Sequence, residues 1–166
     1  MADSSSIDVA VVGATGAVGE AMLDILAERD FPVGKVHLLA SARSAGKSLR
    51  AFGKSVRVTD LADFDFSQVQ LGLFSPGGAV SAHYAPIAAA AGCWVVDNTS
   101  HFRLDPEVPL IVPEVNAHAL RGYEGRIIAN PNCSTIQMLV ALKPLQDAVG
   151  IARINVARRP IVAGGG

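Results

Sequence analysis

Apolar residues along this chain come in short, separated blocks. "IDVAVV" (residues 7–12) is a β-branched run followed by a glycine-rich turn and then by "AVGEAMLDILAERD", in which Val18, Met22, Ile25 and Leu26 recur at helical spacing. Strand, loop and helix are predicted in that order. "KVHLLA" (35–40) is the next strand, and the weaker "SVRVT" follows a polar loop. "VQLGLFS" (69–75) runs into "PGG" and an alanine-rich helix, and "WVVDN" (94–98) comes soon after it. Residues 100–125, rich in proline and glycine, are expected to be loops with a helical turn at "NAHALRG". An apolar run then leads into a helix beginning near Ser134. Short apolar strands alternating with helices predict a parallel sheet covered on both faces, the doubly wound α/β class.

Composition narrows this picture. The chain has 166 residues, of which 50% are hydrophobic and 17% charged, which suits a single globular domain. A net charge of −1 gives no general attraction to nucleic acid or anionic membrane. No apolar run reaches the roughly 20 residues of a membrane span, and "MADSSS" lacks the features of a signal peptide, so a cytoplasmic location is expected. The cysteines, Cys93 and Cys133, cannot make a disulfide framework, and no metal site is expected.

Gly13, Gly16 and Gly19 lie between the first strand and helix in a G-x-x-G-x-x-G arrangement, a variant of the dinucleotide fingerprint. Small residues there let the backbone approach a pyrophosphate, and the helix N-terminus supplies unpaired N–H groups. A tight turn with no ligand would use the same glycines. The second strand sharpens the reading. An acidic residue at its end would bind the ribose 2′-hydroxyl of NAD, whereas "LLASARSAGKSLR" offers Ser41, Arg43, Ser44 and Lys47, which suit a 2′-phosphate. NADP is therefore expected over NAD. Two further loops follow strand ends: "LFSPGGAVS" brings Ser75, Gly77 and Gly78, and "VVDNTSHFR" brings Asn98 and Arg103, the latter a candidate fork for an anionic substrate.

Cys133 lies where the last helix is predicted to start, and a helix N-terminus favours the nucleophilic thiolate. Asn130 and Asn132 stand just before it and can bond to a carbonyl or oxyanion. Cys93, at the start of an apolar strand, is read as buried and inert.

The motifs "VGATGAVGE", "ASARSAGK", "FSPGGAVS", "VVDNTSHFR", "VPEVN" and "NPNCSTIQ" together resemble the N-terminal half of the aspartate-semialdehyde dehydrogenase family over residues 7–156. The resemblance implies a Rossmann-type NADP domain at 1–156, and a phosphorylating aldehyde dehydrogenase serving lysine, threonine and methionine synthesis. It implies Cys133 as nucleophile, Asn132 at the thioester oxygen, and Arg103 at the phosphate or acyl-phosphate group. Thr15, Gly16, Ala17, Val18, Arg43, Ser44 and Ser75 would contact the cofactor. The family also implies a homodimer or homotetramer. The acyl-phosphate reductase of arginine synthesis shares the glycine loop and the cysteine, but "NPNCST" is closer to the aspartate enzyme. Residues 157–166 depart from the family: Pro160 stands at its active-site glutamine and Ala163 at a serine. The family's second half, with its histidine base, is not found in this sequence, and none of His37, His83, His101 or His118 falls on a family motif. A non-catalytic NADP-binding fragment is therefore the alternative reading.

Overall fold

The structure, a computed structural model, describes residues 6–157. The expectations for Pro160 and Ala163 lie outside the described residues. Seven strands form one sheet: β1 (Ile7–Val12), β2 (Val33–Ala40), β3 (Ser48–Ala51), β4 (Lys54–Asp60), β5 (Leu71–Phe74), β6 (Trp94–Asp97) and β7 (Ile127–Ala129). The helices are α1 (Ala17–Glu28), α2 (Gly78–Ala90), the short α3 (Pro113–Asn116) and α4 (Cys133–Val149).

The order across the sheet is β3-β4-β2-β1-β5-β6-β7. Only β3 runs antiparallel, paired with β4, and the remaining neighbours are parallel. Counted along the parallel strands alone, this is the 3-2-1-4-5-6 order of the doubly wound dinucleotide-binding class. The order reverses at β1, so a crevice opens where the loops after β1 and β5 diverge.

Alternation along β1 separates two cores. Val9 and Val11 pack with Leu23, Leu38, Ala40 and Val58 on the α1 face. Ala10 and Val12 pack with Leu39, Phe66, Phe74, Ala85, Ala88 and Val95 on the α2 face. Val9, Val11, Val12, Leu38 and Leu39 are all 0% exposed, and at roughly 1.5–3 kcal/mol per buried aliphatic side chain they anchor the fold at β1 and β2. By contrast, no residue of α4 is buried.

Both faces of the sheet carry a buried core, as expected, and on the α1 side an open depression remains beside it. Leu73 borders an open apolar depression with Val18, Met22, Ile25 and Leu26, and Trp94 is 37% exposed. The apolar stripe of α1 is therefore only partly turned to the core. The helix instead buries Leu23 and Gly19, because close contact between Gly19 and the Gly13 carbonyl sets the angle at which it meets the sheet.

Candidate active site

Register places the site. Leu39, Val12, Phe74, Asp97 and Ala129 are successive cross-strand partners at the C-terminal ends of β2, β1, β5, β6 and β7. One residue further on, the strand ends are bonded in series. Gly13 N–H donates to Leu39 O, Ser75 N–H to Val12 O, Asn98 N–H to Phe74 O and Asn130 N–H to Asp97 O, each at 2.8 Å. The glycine loop and the loops carrying Ser75, Asn98 and Asn130 thus form one rim. At about 4.8 Å per strand, β1 to β7 spans roughly 14 Å.

At the β1–β2 end of the rim is a cleft of about 570 Å³, lined by Gly13, Thr15, Gly16, Ser41, Arg43, Ser44 and Ser75 among the residues expected from sequence. Asp60, Leu61, Tyr84 and Val80 also line it. Val80 lies within "FSPGGAVS", but no sequence motif marks Asp60, Leu61 or Tyr84. Asp60 and Leu61 come from the end of β4 and the turn after it, and Tyr84 from the middle of α2, so only the topology carries these three to the cleft.

Both helices that start beside this cleft have a glycine N-cap and no side-chain capping bond: Gly16 before α1 and Gly77 before α2. Their first-turn N–H groups remain available to an anion. A Cβ on Gly16 would meet only the Gly13 carbonyl, at 3.4 Å, so the backbone there is open to close approach. The donor set and the open cradle fit a dinucleotide pyrophosphate, and Arg43, Ser41 and Ser44 on the cleft wall have the chemistry a 2′-phosphate would need. Other expected residues lie outside the cleft lining. Val18 turns its side chain into the apolar depression, Gly19 packs against the Gly13 carbonyl, and Gly78 is the first residue of α2, where its backbone N–H belongs to the open turn and nothing lies near its missing Cβ. Ala17 is the first residue of α1, where its backbone N–H belongs to the open turn.

The other end of the rim is built on a buried carboxylate. Asp97, 0% exposed, accepts from Ser81 Oγ (2.7 Å), Thr99 N–H (3.0 Å) and Thr99 Oγ1 (2.8 Å). Thr99 Oγ1 in turn accepts from His101 N–H at 3.3 Å, which holds the short 3-10 turn His101–Leu104. Phe102 plugs that turn into the core. The neighbouring Arg103 donates from Nε to Asn130 O and from Nη2 to Asn98 O, both at 2.9 Å. Asn130 Nδ2 donates to Asn98 Oδ1 at 2.7 Å and closes the network.

Cys133 is exposed and is the first residue of α4, one position before the start expected from sequence. Asn132 is the N-cap: its Oδ1 accepts from Ser134 N–H (3.1 Å) and Ser134 Oγ (2.7 Å). That leaves its Nδ2 as the donor available to an oxyanion. Cys93 is buried, and burial pushes its thiol up to about 11, with Arg126 opposing the shift.

None of the histidines lies in the cleft lining. His37 packs on Phe64, His83 on Tyr84 and His101 on Phe102, while His118 is exposed in the 3-10 turn after α3. Burial, and then Lys35, hold the His37 imidazole below its usual value.

Strand order, glycine loop and cleft together define a dinucleotide-binding domain of the doubly wound class. Residues 8–123 match the family model described as semialdehyde dehydrogenase, NAD binding domain, and the chain belongs to that family. It is 60% identical over 164 residues to the aspartate-semialdehyde dehydrogenase of Vibrio mimicus, a match covering 98% of this chain and 52% of that protein. Among solved structures it is similar to aspartate semialdehyde dehydrogenase II of Vibrio cholerae complexed with ASA, with a TM-score of 0.85 and 62% identity over 88% of this chain and 48% of that one. The enzyme of Candida albicans, solved with NADP, gives a TM-score of 0.75 at 27% identity, covering 89% of this chain and 48% of that one. The chain spans about half the length of the curated relatives it matches. Among the described residues, no helix is long and apolar enough to cross a membrane.

Proposed function

We propose that residues 1–156 form the NADP-binding, nucleophile-bearing half of a cytoplasmic enzyme that interconverts L-aspartate 4-semialdehyde and L-4-aspartyl phosphate. The observation that carries this reading is the bonded rim of strand ends, which sets the uncapped glycine loop, the Arg103 fork and the Cys133 helix start along one edge of the sheet.

In this reading, the Cys133 thiolate adds to the aldehyde carbon, and the developing oxyanion is met by Asn132 Nδ2. NADP held at the glycine loop would supply the hydride acceptor for oxidation of the thiohemiacetal to a thioester. Arg103 orients inorganic phosphate, one of whose oxygens attacks the thioester carbonyl. The C–S bond breaks, the thiolate is regenerated and the acyl phosphate leaves. Biosynthesis runs these steps backwards. Gly13, Thr15, Gly16 and Ser75 shape the pyrophosphate site, Ser41, Arg43 and Ser44 the 2′-phosphate site, and Asn98 holds Arg103. Assembly into a homodimer or homotetramer belongs to the same reading.

The test joins residues 1–156 to the remaining part of the Vibrio mimicus relative. NADPH should form from the semialdehyde only when phosphate is present, and Cys133→Ser should abolish turnover while NADPH still binds. Phosphate-independent turnover, or activity that survives in the serine variant, would refute the mechanism.

A further inference from the structure

Arginine has five N–H donors, and its Nε and Nη2 share one edge of the guanidinium. In this chain that edge is taken by the carbonyls of Asn130 and Asn98. The edge formed by Nη1 and the second Nη2 hydrogen remains, and it is a bidentate match for two oxygens of an anion. Which edge is left therefore depends on where two backbone carbonyls sit. They belong to the loops after β6 and β7, and beyond the last ladder bond these loops are tied by the side-chain bond from Asn130 Nδ2 to Asn98 Oδ1.

We propose that Asn130 is a positioning residue for anion recognition. Through its bridge to Asn98 it fixes the spacing of the two carbonyls, so that Arg103 presents only its end-on edge to a phosphate. The same residue leads into the cap of α4, and Pro131 after it is buried, so the bridge also sets the Arg103 fork relative to Cys133. Without the bridge, the carbonyl of Asn130 remains but is free to shift. The guanidinium then loses its fixed direction, and an anion bound to it must bear that ordering cost. This inference rests on the reading of Arg103 as the phosphate-binding residue.

The experiment uses the 166-residue chain with ¹⁵N-labelled arginine, with inorganic phosphate as the probe and the Arg103 Nε–H resonance as the reporter. In the unaltered chain the resonance should move with phosphate. Asn130→Ala should weaken phosphate at least about fivefold by this signal while NADPH affinity stays within about twofold, a split that general loss of structure would not give. Asn98→Ala should have the same effect, and the double variant should be no worse than either single one, because one bond is lost in each case. Undiminished phosphate affinity in both single variants, or additive losses in the double variant, would overturn the positioning role. An Arg103 resonance that ignores phosphate in the unaltered chain would overturn the fork reading itself, and this proposal with it.

Discussion

A Cβ added to Gly13 would lie 2.6 Å from the Ser75 carbonyl oxygen and 2.8 Å from its carbon. Gly13 also has φ +85°, a conformation costing an L-residue roughly 1–2 kcal/mol. Strain and collision act together, since Ser75 is itself held to Val12 by a backbone bond. Gly13→Ala should therefore destabilise the domain by roughly 3 kcal/mol. Gly16 has φ −93° and only ordinary contacts, so Gly16→Ala should alter stability by less than about 0.5 kcal/mol yet weaken NADPH by filling the cradle. Urea unfolding and NADPH titration of the two variants check both. Equal stability losses would show that the loop is under a different constraint.

Arg43 lines the cleft, is exposed, and makes no hydrogen bond or ion pair with another described residue. Its charge is thus available to a ligand rather than committed to the fold. NADPH should bind at least about tenfold more tightly than NADH, equivalent to ~1.4 kcal/mol. Arg43→Ala should remove most of that preference by weakening NADPH alone, and raised salt should reduce it in the unaltered chain. Fluorescence titration with both cofactors reads the ratio, and equal affinities would place the 2′-phosphate elsewhere.

The parallel strands were readable where β-branched runs were long enough to carry a pattern. β3 escaped because "SLRA" is short and half polar, and it exists only as the hairpin partner of β4. Its turn, Phe52-Gly53, has positive φ at both positions, but phenylalanine is not a residue that advertises such a turn. The three residues of β7 were visible only as an apolar run before a helix. In the site, motif residues at strand ends were legible because the fold sends strand ends to the crevice. Asp60 and Tyr84 were not, since neither stands in a local pattern. The fixing of Arg103 by two carbonyls leaves no trace in side-chain chemistry at all.

Asp97 is fully buried with three bonds from Ser81 and Thr99, which makes it the post on which the Asn98–Arg103 loop is hung. Asp97→Ala removes the acceptor and strands the Thr99 N–H and two hydroxyls, so a loss of roughly 3 kcal/mol or more is expected. Ser81→Ala deletes a single partner and should cost about 1–2 kcal/mol. Chemical denaturation of the two variants gives the ranking. A milder effect at Asp97 than at Ser81 would mean that the loop is held by Phe102 instead.

The thiols should separate by both rate and pH. Cys133 is exposed at the start of a 17-residue helix while Cys93 is buried, so iodoacetamide at neutral pH should modify Cys133 first. Cys93 has no exposed surface, and burial raises its thiol from 9.0 to about 11, so in the folded chain it should stay unlabelled until the pH approaches that value. The sign for stability follows from the same shift. Above pH 9 the unfolded thiol ionises while the folded one keeps its proton, so the contribution of Cys93 is complete below pH 9 and is lost as pH rises towards 11. Cys93→Ala, though less stable at neutral pH, should therefore lose stability less steeply over that interval. Mass spectrometry of partly alkylated protein gives the order of labelling, and denaturation at several alkaline pH values gives the slope. Labelling of Cys93 before Cys133 in the folded chain would remove the basis for assigning the nucleophile to the start of α4.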